Sequence, residues 1–254
     1  MAFLELTQRI DAPLPLLWHY ISTSEGLSAW HADHVEGSIA QGNFQVSWPR
    51  LNAKMELKVD RAEPLRVLAL RAGQSSVTLS LSHGGVHLVH DGLDDDDDLA
   101  GFRSSWSLAL SLLAHAVSRH PERARHVGWV FERAPTTPEL VHFYFSDALG
   151  LRQWLGTTSR DIGGVGDNVV LELGGGVHLH GRVLSHEPGR DLALSWRELD
   201  DAALVLRTLP ASSGDRSLSL SLSTYGNPAP NETMKLLERS LGRLSETLRG
   251  RGRS

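Results

Sequence analysis

The 254-residue chain has no cysteine. This absence excludes a disulfide framework, zinc sites built on thiolates and a cysteine nucleophile. Long apolar runs are missing as well. The longest candidate, residues 108–117, is interrupted by Ser111 and His115 and is shorter than the ~20 residues that a membrane-spanning helix needs. The first residues show no basic segment followed by an apolar one, which is how an export signal begins. We therefore expect a cytoplasmic protein without a membrane span.

The chain also has little net charge. The formal value at pH 7 is −5, and no cluster of basic residues marks a face for a nucleic acid. Arginine outnumbers lysine by 22 to 3, which we interpret as the codon bias of a GC-rich bacterial genome. Hydrophobic residues make up 41% of the chain, which is enough for a packed core. We expect a folded protein that binds no nucleic acid.

Three short motifs occur twice, in the same order. They are Ala12–Pro13, Trp30 and Glu63–Arg66 in the first half, and Ala134–Pro135, Trp154 and Glu187–Arg190 in the second. Trp30 and Trp154 are 124 residues apart, and so are Glu63 and Glu187. One offset shared by separate motifs indicates a duplication. The sequence therefore predicts two homologous domains, residues 1–121 and 122–254.

Both halves are predicted to have the same elements. An alternating strand is followed by Ala-Pro, and proline fits a first helical turn but not a strand ladder. Two short helices, a run of antiparallel strands and one long helix come next. The predicted first strands are residues 3–10 and 127–133, and the short helices are residues 14–21, 25–30, 138–145 and 148–154. Apolar residues recur at steps of three and four along each long helix, which indicates one buried stripe. The stripes are Phe102, Trp106, Leu110, Leu113 and Val117, then Met234, Leu237, Leu241, Leu244 and Leu248.

Turn residues divide the strands. Residues 41–43 and 166–168 predict tight hairpins, and the two Glu-Pro pairs predict turns with proline at the second position. Leucine and serine alternate over residues 79–82 and 218–222, which is typical of a strand with one buried face. The glycine runs at 163–166 and 174–176 are flanked by predicted strands, so they indicate turns rather than a dinucleotide-binding loop. We expect no cofactor.

This order of elements resembles the START-like, or SRPBCC, superfamily, whose members include birch-pollen-allergen-like proteins. Among its members, the motifs most resemble the domain of activator of heat-shock protein 90 ATPase homologues: Ala-Pro opens the first helix, tryptophan ends the second, and Glu-Pro-x-Arg precedes a strand. The resemblance covers nearly the whole chain, twice. It implies an α+β fold of two tandem helix-grip domains, each a curved antiparallel sheet wrapped on a long C-terminal helix, with two short helices after the first strand.

The resemblance also implies where a ligand would lie. In helix-grip proteins the space between the long helix and the sheet is either packed or holds an apolar cavity. We therefore expect a non-catalytic binding protein that holds a lipid or an aromatic molecule under the long helix of at least one repeat. The candidate lining residues are Trp18, Trp30, Trp106, Leu110, Leu113 and Val117 in the first repeat, and Trp154, Met234, Leu237, Leu241 and Leu244 in the second.

The histidines supply candidates for a metal site. His31 and His34 are three residues apart, a spacing that places two side chains on one face if the segment is helical. Solvated loop residues explain the same pattern, so we expect no metal site, with these two as weak candidates. His83, His87 and His90 surround a predicted hairpin, and His178 and His180 share one face of a strand. With 13 histidines in the chain, such clusters arise by chance.

Two other functions fit the resemblance. Tandem START-like proteins include polyketide aromatase/cyclases, which fold a poly-β-keto chain and move protons with polar cavity groups. The candidates for such groups here are Arg66, Arg71, Arg190 and Tyr225. The second alternative is a protein-interaction module that regulates a chaperone, with the acidic run at residues 94–98 as its contact. No catalytic motif in the sequence selects between these hypotheses.

Overall fold

The computed structural model describes residues 2–94, 98–211 and 215–251. The chain divides into two compact units, Met1–Arg125 and His126–Ser254. No helix in the described ranges is long and apolar enough to cross a membrane.

The first unit contains seven strands and three α-helices. They are β1 (Ala2–Arg9), α1 (Leu14–Ser22), α2 (Ser24–Ser28), β2 (His34–Ser38), β3 (Asn43–Trp48), β4 (Ala53–Glu63), β5 (Val67–Ala72), β6 (Ser75–Ser82), β7 (Gly85–Leu93) and α3 (Leu99–Arg119). The strands form one antiparallel sheet in the order β1-β7-β6-β5-β4-β3-β2. The long helix buries Leu110, Leu113 and Val117.

The second unit repeats this arrangement. Its elements are β8 (Arg125–Pro135), α4 (Pro138–Ser146), α5 (Ala148–Arg152), β9 (Gly156–Thr157), β10 (Asn168–Leu173), β11 (His178–Glu187), β12 (Asp191–Trp196), β13 (Ala202–Pro210), β14 (Asp215–Tyr225) and α6 (Asn231–Arg251). The sheet order is β8-β14-β13-β12-β11-β10-β9. The register shifts at the same place in both units, after Val59 of β4 and after Val183 of β11, and such irregularities bend a sheet. The predicted tandem helix-grip fold is confirmed.

The corner between the two short helices is built identically in both units. The indole N–H of Trp30 donates to the Tyr20 carbonyl (3.0 Å), and that of Trp154 donates to the Tyr144 carbonyl (2.7 Å). One glycine in each corner, Gly26 or Gly150, lies so close to the preceding helix that a Cβ atom would overlap its backbone. The predicted tryptophan motif thus marks a close helix–helix contact.

The helix starts follow from local chemistry. Proline stands in the first turn of both α1 and α4, and the Thr137 hydroxyl accepts a hydrogen bond from the Leu140 amide at the start of α4. Asp98 caps α3 by accepting from the Gly101 amide (2.8 Å). Asp98 belongs to the acidic run considered above, of which residues 95–97 lie outside the described residues.

Two predictions about the strands are wrong. Residues 166–168 do not form a tight hairpin, because β9 and β10 are joined by the ten residues 158–167 and Asn168 already opens β10. The alternation in β14 does not mark a single buried face, because Ser219, Ser221 and Ser223 are buried together with the leucines between them. Alternation reports the polarity of the side chains, and a serine hydroxyl can be buried where it bonds the backbone, as that of Ser219 bonds the Arg207 carbonyl.

Candidate functional site

The predicted lining residues of the second unit belong to its hydrophobic core. Trp154, Leu237, Leu241 and Leu244 are at most 1% exposed and lie in one buried cluster, against which Met234 packs. This region of the second unit is therefore filled by its own side chains.

The predicted lining residues of the first unit are less uniformly buried. Trp30, Leu110, Leu113 and Val117 are buried, whereas Trp18 of α1 and Trp106 of α3 are only partly buried. Partly exposed tryptophan side chains beside the core, among them Trp106, distinguish this repeat from the second one.

The two units can be matched position by position. The offset of 124 residues matches the segments after Trp30 and Trp154. The same offset aligns β5 with β12. The residues that pair across neighbouring strands then align β6 with β13, and β7 with β14. In the same way, β4 aligns with β11, and their paired neighbours β3 and β10 align with each other. The buried stripes of α3 and α6 match at Leu110 and Leu241.

Four matched positions differ in the same way. In the second unit they hold leucines that are at most 2% exposed. In the first unit they hold two histidines and two tryptophans. The pairs are His31 and Leu155, Trp48 and Leu173, His90 and Leu222, and Trp106 and Leu237. An apolar core in one repeat thus corresponds to an aromatic and polar cluster in the other.

His31 is the centre of this cluster. Its ring lies parallel to that of Trp106, with an interplanar angle of 3° and centroids 5.5 Å apart. Trp48 meets the imidazole edge to face at 5.5 Å, and Trp30 meets it at a tilt of 45° and 5.3 Å. We refer to Trp30, Trp48 and Trp106 as the tryptophan cage.

Hydrogen bonds fix the cage. The Trp48 indole N–H donates to the His31 carbonyl (3.2 Å), which ties β3 to the segment after α2. The Trp106 indole N–H donates to Nδ1 of His90 (3.1 Å), which ties α3 to β7. With the Trp30 bond to Tyr20 already described, each indole N–H of the cage has a partner, as buried indoles require.

The His31 imidazole is held neutral. Burial and, to a smaller extent, the nearby Arg125 guanidinium lower its pKa from 6.5 to about 4. Arg125 is positioned by bonds to the carbonyls of Ser28 (3.2 Å) and Ala32 (3.4 Å). Neither ring nitrogen of His31 makes a hydrogen bond to another described residue. The cage therefore contains a neutral imidazole that can give one hydrogen bond and accept another.

The weak metal candidates are not a metal pair. Helix α2 ends at Ser28, so His31 and His34 are not on one helical face. His34 instead opens β2 with an exposed side chain, while His31 points among tryptophans. Across the described residues, no group of three histidines and carboxylates is arranged to hold a metal ion.

The residues considered for an enzyme are divided between the two units. Arg66 and Arg71 are exposed and pair with neighbouring carboxylates. Arg190 and Tyr225 belong to the other unit, where Arg190 lies in the turn after β11 and Tyr225 ends β14.

A separate cleft of about 350 Å³ lies in the second unit, beside α4. It is lined by Glu139, His142, Phe143, Ser146, Asp147, Asp161, Ile162 and His186. The sequence gives no local signal for this cleft, because its residues come from α4, from the loop before β10 and from β11. Trp48 and the pairing of His90 with Trp106 were not predicted either, because matching them to Leu173, Leu222 and Leu237 needs the strand pairing and the buried helix stripes.

Fold and site together define a tandem helix-grip protein in which one repeat carries an aromatic, imidazole-containing site. No protein-family model and no curated protein matches the sequence. Among solved structures, DynU16 from the dynemicin biosynthetic locus is 19% identical, with a TM-score of 0.41 and coverage of 97% of this chain and 99% of its own.

Of two further solved structures, one matches nearly the whole chain and the other about half of it. The di-domain ARO/CYC protein StfQ from the steffimycin biosynthetic pathway is 15% identical over 99% of this chain and 100% of its own, with a TM-score of 0.38. The Aha1 dimer from Colwellia psychrerythraea is 15% identical over 46% of this chain and 96% of its own, with a TM-score of 0.41.

Proposed function

We propose that the first unit binds a planar aromatic small molecule at the tryptophan cage, without catalysis, and that His31 orients the ligand. The observation that supports this most directly is the replacement of four buried leucines of the second unit by histidine and tryptophan at the matched positions. Histidine at a core position is unfavourable for stability unless its polar atoms find partners. His90 meets this condition by accepting from the Trp106 indole, whereas the ring nitrogens of His31 bond no described residue, which supports a site kept for recognition.

The composition of the cage selects the class of ligand. Trp48 and Trp106 are partly exposed, and a planar molecule entering from solvent would stack on their indole rings. Aromatic rings favour offset stacking on planar ligands, which flexible acyl chains cannot exploit. The neutral His31 ring adds one polar contact, suited to a hydroxyl or carbonyl group. We therefore favour a planar aromatic ligand with one such group over a lipid. The aromatase/cyclase and chaperone hypotheses stay predictions.

Calorimetric titration of the full chain tests this proposal. We expect 2-naphthol to bind more tightly than naphthalene, because the hydroxyl bonds His31, and more tightly than decanoate, because the acyl chain does not stack. One hydrogen bond contributes about 1 kcal/mol, or roughly fivefold in affinity. Native mass spectrometry of the protein as purified gives a second measurement, in which an aromatic adduct supports the proposal.

Three variants locate the site. Trp106→Leu introduces the residue of the second unit, and we expect 2-naphthol to bind about tenfold more weakly, since loss of one stacking contact is worth about 1–3 kcal/mol. His31→Leu should weaken 2-naphthol binding but not naphthalene binding. Trp129→Phe removes a tryptophan from β8 of the second unit and is the control. Failure of all three probes to bind, or equal affinity in wild type and Trp106→Leu, would overturn the proposal.

A further inference from the structure

The cleft in the second unit contains two histidines that face each other. His142 lies on α4 and His186 on β11, and their ring centroids are 5.5 Å apart with an interplanar angle of 32°. Both line the cleft, together with the apolar side chains of Phe143 and Ile162. The two imidazoles therefore determine what a molecule in the cleft would meet.

The hydrogen bonds of His186 fix its protonation pattern. Its Nδ1 lies 2.9 Å from the Gly163 carbonyl, and a carbonyl only accepts, so Nδ1 carries the hydrogen. Nε2 then presents a lone pair in the neutral ring. This atom is shielded from solvent and has no hydrogen-bond partner among the described residues. A buried acceptor without a donor is unfavourable, and a donor from a ligand would relieve it.

The same reasoning applies to His142. The Ser146 hydroxyl donates to the His142 carbonyl (2.8 Å), so its oxygen is left to accept from Nδ1 of the ring, 3.1 Å away. Nδ1 again carries the hydrogen and Nε2 the lone pair. Burial lowers the pKa of His142, and the neighbouring His186 lowers it further, which favours the neutral ring. Both rings line the cleft, and in the neutral form each has Nε2 as its acceptor.

Three carboxylates complete the lining. Asp147 Oδ1 accepts from the amides of Leu149 (2.8 Å) and Gly150 (3.3 Å), which holds the side chain at the start of α5. Asp161 Oδ1 accepts from the Ala148 amide (2.9 Å). For each aspartate, these bonds use one carboxylate oxygen and leave the other with no bond to a described residue.

Glu139 is the third carboxylate. Its own backbone amide lowers its pKa most, followed by the Thr137 hydroxyl, and Arg216 contributes as the nearby cation. Arg216 offsets one of the three negative charges. The cleft therefore carries net negative charge and is rich in acceptors, with an apolar wall.

This lining fits an organic cation better than a metal ion. A metal ion needs several ligands at fixed geometry, and the described residues hold no group of three suited to one. An ammonium group carries three donors that can reach separate acceptors. We propose that the cleft is a binding site for a small organic ammonium compound, with its cationic group between the imidazoles and carboxylates and its apolar body against Phe143 and Ile162. This site is independent of the tryptophan cage.

Three isosteric probes test the chemistry of the site in the full chain. Benzylamine, benzyl alcohol and benzoate share one ring and differ in charge. Histidine ring ¹H–¹³C resonances report binding at each imidazole, and we expect benzylamine to shift those of His142 and His186 with at least tenfold higher affinity than benzyl alcohol. Benzoate should not shift them. Equal affinities for the amine and the alcohol, or stronger binding of benzoate, would overturn the proposal.

Substitutions test the location. His186→Leu removes the buried acceptor, and we expect at least fivefold weaker benzylamine binding, with His186→Gln restoring part of the loss because its amide carbonyl can accept. Asp161→Asn keeps the acceptor for Ala148 but removes the charge, and should weaken binding similarly. His178→Leu, at an exposed position of the same strand, is the control. Unchanged benzylamine affinity in both His186→Leu and Asp161→Asn would exclude this site, whatever the outcome at the tryptophan cage.

Discussion

His31 shows how one side chain is changed by its surroundings. An exposed histidine titrates near pH 6.5, whereas burial among Trp30, Trp48 and Trp106 lowers the pKa of His31 to about 4. The folded state thus binds this proton less readily than the unfolded state does. Between these two pKa values the unfolded state is protonated while the folded state stays neutral, so stability decreases as the pH falls from about 6.5 towards 4.

Replacing this histidine should reduce the acid sensitivity of the protein. One pKa unit corresponds to about 1.4 kcal/mol, and after allowance for partial exposure we expect His31 to account for about 2 kcal/mol of the stability lost between pH 7 and pH 4.5. Urea unfolding of His31→Leu at the two pH values should show a loss smaller by that amount. His34→Leu, at an exposed position, should keep the wild-type pH dependence. An identical pH dependence in wild type and His31→Leu would contradict the assignment.

At the scale of elements, the corner between the short helices depends on a missing side chain. A Cβ atom on Gly150 would overlap the Phe143 carbonyl oxygen and lie 2.9 Å from the Tyr144 Cα. These are backbone atoms, which cannot move aside as a flexible side chain can. We expect Gly150→Ala to destabilise the protein by about 2–4 kcal/mol in urea unfolding, within the range for overpacked cores.

Another glycine supplies the matched control for this substitution. Gly242 lies inside α6, and nothing stands within 4 Å of a Cβ placed there. Gly242→Ala should stabilise the protein by about 0.5–1 kcal/mol, the usual gain of alanine over glycine in a helix. If Gly150→Ala were as stable as wild type, the two short helices could not be as close as described.

Element order was predictable from the sequence, because proline, turn residues and apolar stripes act locally. The helix starting at Leu14 and the turn after Glu63 are set by neighbours within a few residues. The site was less predictable. His31, Trp48 and Trp106 meet only through the strand register and the packing of α3, which act over dozens of residues. The spacing of His31 and His34 would place them on one face only in a helix, and α2 stops at Ser28.

At the scale of the whole molecule, the duplication provides its own comparison. Each unit has the same sheet order and the same corner between short helices. The second unit fills its core with leucine, whereas the first places histidine and tryptophan at four matched positions. One fold thus accommodates two interiors. We propose that the interior of the first unit is the less apolar one because it binds a ligand.

Exchanging residues between the units tests this explanation. Leu155 is 2% exposed in a closed hydrophobic cluster, so Leu155→His would bury a polar ring without partners, and we expect a loss of about 3–5 kcal/mol in urea unfolding at pH 7. The reverse exchange, His31→Leu, restores the residue that the fold uses in its other copy and should change stability at pH 7 by less than about 1 kcal/mol. If the first unit needed His31 for folding, His31→Leu would lower the stability as well as Leu155→His. That result would make the cage a structural feature and not a binding site.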